Sequence, residues 1–181
     1  MRRKQRGVIG LDLSITAPAG CFIPPGWRLG VWEDLRYSTF PQILKKEQEQ
    51  LEELSTRYAR LIEIGAWVLE FVRTHNASDV YVENYGFSRS SSSVTRLAEL
   101  GGVVRTRLFE SGILLRPVTA SHARKILLGQ VPKKDSKTET HLRLWKHNAP
   151  FANGDECDAF CVANAGLSDL GFPCMMLHEA H

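Results

Sequence analysis

Three short apolar runs, set apart by longer stretches of helical periodicity, restrict this chain more than any other feature. They are GVIGLDL (residues 7–13), SDVYVENYGF (78–87) and ILLRPV (113–118). Each reads as a short buried strand bounded by polar sequence. Between the first two, residues 41–75 repeat apolar side chains at spacings of three, four and seven. Leu44, Leu51, Leu54, Tyr58, Leu61, Ile62, Gly65, Val68, Leu69 and Val72 make that face, and Pro41 suits a first helical turn. A second helix is predicted over 94–111, with Leu97, Leu100, Gly101, Val104 and Leu108 on one side. Its Gly101-Gly102 pair costs about 1 kcal/mol per glycine against alanine, which predicts close packing there. Thr119 and Ser121 can cap a short helix that stops at Gly129, and a helix near 138–147 and another from Gly154 complete the chain. Strands alternating with helices predict an α/β sheet covered by helices. The proline- and glycine-rich stretch 14–28 reads as a turn or loop, and 28–40 as one or two further strands.

Length and charge narrow the partners. The 181 residues suit one domain with a real core. No apolar run approaches the roughly 20 residues of a membrane-spanning helix, and the basic N-terminus lacks a signal-peptide pattern, so a cytoplasmic protein without a membrane partner is expected. Net charge is +3, but residues 116–146 hold eight basic side chains against two acids, which leaves −3 on the remainder. Such a block suits a polyanion, or else a solvated lysine-rich loop. The cysteines Cys21, Cys157, Cys161 and Cys174 contain no C-x-x-C. Small buried thiols are the plain reading, and a zinc site from Cys157, Cys161, Cys174 and His178 is the alternative.

The acids form a pattern. Asp12 and Glu83 each sit at the C-terminal end of an apolar strand, and Asp155 and Asp158 head a helix with a buried side. Capping accounts for one acid at a helix start. A second at i+3 projects from the same face and repels the first. Sites in open α/β sheets form at the carboxyl ends of strands, where all four would meet. Bare, such a cluster is unstable, so either protons or a divalent cation must neutralise it. Oxygen donors without His or Cys favour Mg²⁺, with Mn²⁺ as substitute, and beside a basic loop the chemistry they suit is two-metal phosphodiester hydrolysis.

The order GLDLS, then YVENY, then DECDA at the head of the final helix resembles the RNase H-like superfamily. Within it, the chain is most similar to the RuvC family of Holliday-junction resolvases. The resemblance covers about residues 6–168 and leaves 169–181 as a C-terminal tail. It implies an α/β fold with a mixed sheet of about five strands, the second and third lying within 28–40. It implies catalytic, metal-holding roles for Asp12, Glu83, Asp155 and Asp158, with two Mg²⁺ ions. Lys125 and Lys137 are the preferred lysines near the scissile phosphate, Lys137 being placed with the catalytic set, and Lys133 and Lys134 are further DNA contacts. Tyr85 or Phe87, after the acid, is the candidate wedge into a junction, or else packs under the serine-rich loop. Arg89 with the serines that follow can hold backbone phosphates, or serve as linker.

The implied function is a homodimeric, metal-dependent endonuclease that nicks opposite strands of a four-way DNA junction, with helix 94–111 as the expected dimer face. The same fold could act on an RNA/DNA hybrid or other branched DNA. A non-catalytic junction-binding module is the third reading, which four carboxylates facing phosphate disfavour. The proline-rich 14–40, the serine tract and the tail depart from the family pattern and fit a diverged, phage-type member.

Overall fold

The computed structural model describes residues 7–84, 91–130 and 135–177, without the side chains of 45–47 and 91–93. Five strands form one sheet in the order β3-β2-β1-β4-β5. They are β1 (Val8–Asp12), β2 (Ala19–Ile23), β3 (Arg36–Thr39), β4 (Asp79–Asn84) and β5 (Leu115–Thr119). β1, β2 and β3 make an antiparallel meander, and β4 and β5 add in parallel on the other side of β1. This is the mixed α/β sheet expected, with helices α1 (Leu54–His75), α2 (Ser91–Glu110), α3 (Ala120–Leu128), α4 (Ser136–Lys146) and α5 (Gly154–Asp169) against it.

Two readings of the chain need correction. The second strand is not within 28–40 but at Ala19–Ile23, inside the stretch read as loop. Pro18 and Pro24 stand just outside that strand, so they end it rather than interrupt it, and all five of its residues are buried. The helical stretch expected over 41–75 starts after Pro41 and is broken once. A 3₁₀ segment covers Lys45–Glu52, Glu53 turns extended (φ −71°, ψ 126°), and α1 starts after it. The buried face of α1 is Leu61, Ile64, Gly65, Val68, Phe71 and Val72, whereas Leu54, Tyr58 and Ile62 are exposed.

Alternation along the strands divides the core. Ile9, Leu11, Val80 and Val82 point to α1 and α2, and meet Leu61, Ile64, Val68, Leu100, Val104 and Leu108. Val8 and Tyr81 point the other way, toward α3, α4 and α5. By the same period of two, Asp12 and Glu83 belong to the α5 side. Between the helices, close approach depends on Gly65 of α1, where a Cβ would lie 2.9 Å from Val103 Cγ1, and not on Gly102, which has open space around it.

Helix α5 lies directly on the sheet. A Cβ at Gly10 would be 2.2 Å from the backbone nitrogen of Ala163 and 2.3 Å from the carbonyl oxygen of Ala159. A Cβ at Gly166 would be 2.6 Å from the Tyr81 ring. Gly10 on the strand therefore lets backbone meet backbone, Gly166 on the helix makes room for the Tyr81 ring, and α5 crosses β1 and β4 with residues from Glu156 to Leu167 buried. Beyond α5, Asn164 Nδ2 donates to Met175 O (2.9 Å) and its Oδ1 accepts from Met175 N (2.7 Å). That pair holds Met175 and Leu177 in the core.

Candidate active site

The site starts from strand register. Leu11 of β1 stands opposite Val82 of the parallel β4, so Asp12 and Glu83 are the next residues along two neighbouring strands. Both lie at C-terminal strand ends, on the face that α5 covers. The start of α5 closes the site from above.

Asp155 and Asp158 do not cap α5. Asn153 takes that role, its Oδ1 accepting from the backbone N–H of Asp155 (3.0 Å) and Glu156 (2.9 Å). Glu156 reaches back, its Oε2 accepting from Ala152 N at 2.8 Å, much as the acid of a capping box does. Two polar side chains thus satisfy the helix end, and Asp155 and Asp158 are left to the site.

Asp158 is almost fully buried, and both its oxygens are engaged. Lys137 Nζ is 2.6 Å from Oδ2, and Arg124 Nη2 is 3.1 Å from Oδ1. His141 Nε2 lies 3.9 Å from Oδ1, and Lys137 Nζ is also 3.7 Å from Asp155 Oδ1. The basic segment therefore reaches the acids from two helices: Arg124 from α3, and Lys137 with His141 from α4.

Electrostatics couple Asp12 to the other three carboxylates. Burial, and then the negative charges of Glu83, Asp158 and Asp155, push the Asp12 carboxyl from 3.8 up to about 8, against the opposing pull of Lys137. Burial lowers the Lys137 ammonium, but its hydrogen bond to Asp158 and the charges of Asp158, Asp12 and Asp155 outweigh this and raise it. Lys137 is therefore a fixed cation. Burial holds His141 below the usual imidazole value, Asp158 opposes this, and Lys137 and Arg124 add to it.

The structure thus brings together Asp12, Glu83, Asp155, Asp158 and Lys137. Lys125 is exposed on the outer side of α3, and its neighbour Arg124 turns inward instead. Tyr85, Phe87, Arg89, Lys133, Lys134 and His178 lie outside the described residues. Arg124 and His141 were not singled out from the sequence. For His141 the signal was spacing, since Lys137 and His141 are four apart on α4 and so share a face; for Arg124 there was none beyond its place in the basic segment.

An oxygen-only donor set suits a hard divalent cation. Among the described residues, no three Asp, Glu, His or Cys side chains stand close enough together to hold an ion as they are placed. The Lys137 and Arg124 cations occupy the Asp158 oxygens, while burial first, and then the charges of Glu83, Asp158 and Asp155, disfavour an ionised Asp12 despite Lys137. The residue types therefore fit the cation. Cys157 and Cys161 are buried in α5, and burial raises the Cys157 thiol to about 12 and the Cys161 thiol well above its usual value. Among the described helices none is long and apolar enough to cross a membrane.

No protein-family model and no curated protein matches the chain. Solved structures do. RuvC of Thermus thermophilus in complex with a Holliday-junction substrate superposes with TM-score 0.64 at 18% identity, over 91% of this chain and 96% of that one. A second Thermus thermophilus RuvC structure gives TM-score 0.64 at 18% identity, over 93% and 98%. The yeast mitochondrial Holliday-junction resolvase Ydc2 gives 0.51 at 14% identity, over 88% and 76%. The chain has the RuvC-type, RNase H-like fold.

Proposed function

We propose that this protein is a RuvC-type Holliday-junction resolvase: a structure-selective endonuclease that hydrolyses DNA phosphodiesters in four-way junctions with divalent metal ions. The observation that carries the reading is that Asp12, at the end of β1, feels the charges of Glu83, Asp155 and Asp158, from β4 and α5, together with that of Lys137, which meets Asp158 at 2.6 Å. The RuvC-type fold supports it, since the matched Thermus thermophilus protein was solved on a Holliday junction.

Asp12, Glu83, Asp155 and Asp158 would hold the metal, two Mg²⁺ or Mn²⁺ ions. Bound there, it supplies the Lewis acidity that phosphodiester hydrolysis needs. The chain's own groups do the rest. Lys137, a fixed point charge at the mouth of the cluster, binds the scissile phosphate. Arg124 helps to orient the buried Asp158 through one charge-assisted hydrogen bond, from Nη2 to Oδ1, and is itself held by Ser136 Oγ. The basic segment attracts the backbone, and a homodimer would present two such sites to one junction for paired nicks.

The test is a labelled immobile four-way junction incubated with the protein, with and without Mg²⁺, and the nicks mapped. Paired symmetric nicks that need Mg²⁺, and that a linear duplex or an RNA/DNA hybrid does not compete away, meet the expectation. Preference for the hybrid would move the substrate to RNA. Tight junction binding without nicking would make the protein a binding module.

A further inference from the structure

Beside the acid cluster lies a cavity of about 270 Å³ between α4 and the start of α5. Its floor is Phe151, which rests on Phe160 (centroids 5.2 Å apart) and on Trp32 (5.8 Å). The floor is thus fixed to the core, and the cavity is preformed. Trp145 and Leu142 form its outer rim. Trp145 is 74% exposed, more than any other large apolar side chain described. No acid lines the cavity, although Asp155 is the next residue after its wall at Gly154.

Helix periodicity ties the cavity to the site. Lys137, His141 and Trp145 are spaced i, i+4, i+8 and form one stripe along α4. At its inner end Lys137 meets Asp158 and Asp155, in the middle His141 stands against Gly154, and at its outer end Trp145 rims the cavity. Eight residues of helix span about 12 Å, or three to four steps of a stacked strand at about 3.4 Å each. Lys146 is exposed but projects from another face of α4, so the stripe itself is cationic at Lys137 and apolar at Trp145, where a base would lie.

We propose that Trp145 and this cavity take an unpaired nucleobase, within about four nucleotides of the phosphate held at Lys137. The proposal rests on the nuclease reading above and adds to it a stacking platform on α4. An exposed indole beside a rigid aromatic floor suits a base, because every base offers a π-face. The charge pattern suits its backbone.

The experiment uses the full chain as Asp12→Asn, which is expected to bind a four-way junction without cutting it. 2-Aminopurine is placed singly at each of the four positions on either side of the mapped nick. At one of them, fluorescence should fall on binding, and the drop should vanish in Asp12→Asn/Trp145→Ala and return in Asp12→Asn/Trp145→Phe. Junction affinity should weaken about 5- to 150-fold with Trp145→Ala, the range for losing one stacked base. Thermal unfolding should not move, because the side chain is exposed. If the parent nicks junctions but no position is quenched and Trp145→Ala binds as its parent does, this proposal fails and the nuclease reading stands. Self-association that Trp145→Ala abolishes, without quenching, would make the patch a contact between copies and overturn the proposal. If the parent neither binds nor nicks a junction, both fall.

Discussion

Lys137 Nζ sits 2.6 Å from Asp158 Oδ2 and 3.7 Å from Asp155 Oδ1, so one half-exposed ammonium serves two carboxylates of the same helix. An attacked phosphate would find that ammonium already in place. Lys137→Met should lower Mg²⁺-dependent junction nicking by about 10²–10³-fold, the usual loss when one preorganised positive partner is removed. Stability should fall by about 1–3 kcal/mol, because Arg124 still holds Oδ1 of the buried Asp158 but its Oδ2 loses Lys137. Single-turnover nicking and thermal unfolding of the same samples check both halves. Unchanged nicking would remove Lys137 from the reaction.

Asp12 ties stability to pH. Its carboxyl keeps a proton up to about 8 in the folded protein, against 3.8 ordinarily. The folded state therefore binds more protons between those values, so stability is greatest below the lower one and is lost as pH rises through about 8. Asp12→Asn mimics the protonated form and removes this slope. Without divalent ions, its melting temperature relative to the parent should increase from pH 5 to about pH 8 and then level off. Its nicking should fall by more than about 100-fold, beyond the cost of losing an outer-shell partner of a metal. A constant difference in melting temperature across that range would contradict the high Asp12 value.

Gly10 sets the height of α5 above the sheet. Gly10→Ala places a methyl against backbone atoms of Ala159 and Ala163, which cannot rotate away. The expected loss is about 1–3 kcal/mol or more, with nicking reduced as well, because α5 carries Asp155 and Asp158. Gly102→Ala is the control. It meets open space in the middle of α2, and should stabilise by about 0.5–1 kcal/mol. Chemical denaturation of both variants reads the contrast in sign.

His75 gives a second, opposite pH dependence. It stacks on Phe22 with centroids 4.6 Å apart, and meets Phe71 edge-on at 4.8 Å. Burial, and then the Arg36 charge, hold it below its usual 6.5. The unfolded chain therefore takes up the proton first as pH drops. Stability is complete above 6.5 and is lost as pH falls through the lower folded value. His75→Phe keeps the ring stack and has no proton to gain. Melting curves at pH 7.5 and pH 5 should show it losing less than the parent does; an equal loss would clear His75 of the effect.

Local physics made much of the fold legible. Short apolar runs bounded by polar sequence located β1, β4 and β5, and 3.6-residue periodicity located the long helices, because burial of one face imposes its period on the chain wherever the partner lies. The five-residue strand at Ala19–Ile23 escaped, since prolines at both ends look the same whether they frame a strand or fill a loop. The acids of α5 were ambiguous for a similar reason. Capping and ligation call for the same residue types, and Asn153, one position before Gly154, was the unnoticed competitor.

Residue types and their order along the chain therefore determined the α/β class, the strand ends bearing Asp12 and Glu83, and the acids that share a helix start with a buried core. Tertiary structure alone decided which cations meet those acids. Arg124 and Lys125 are adjacent and chemically alike, but α3 turns only Arg124 toward Asp158, and α4 brings Lys137, His141 and Trp145 into one line. Those choices depend on how each helix is rotated about its axis. That rotation is set by contacts with residues far away in the chain, such as the approach of Gly10 to Ala159 and Ala163, which no local window of sequence contains.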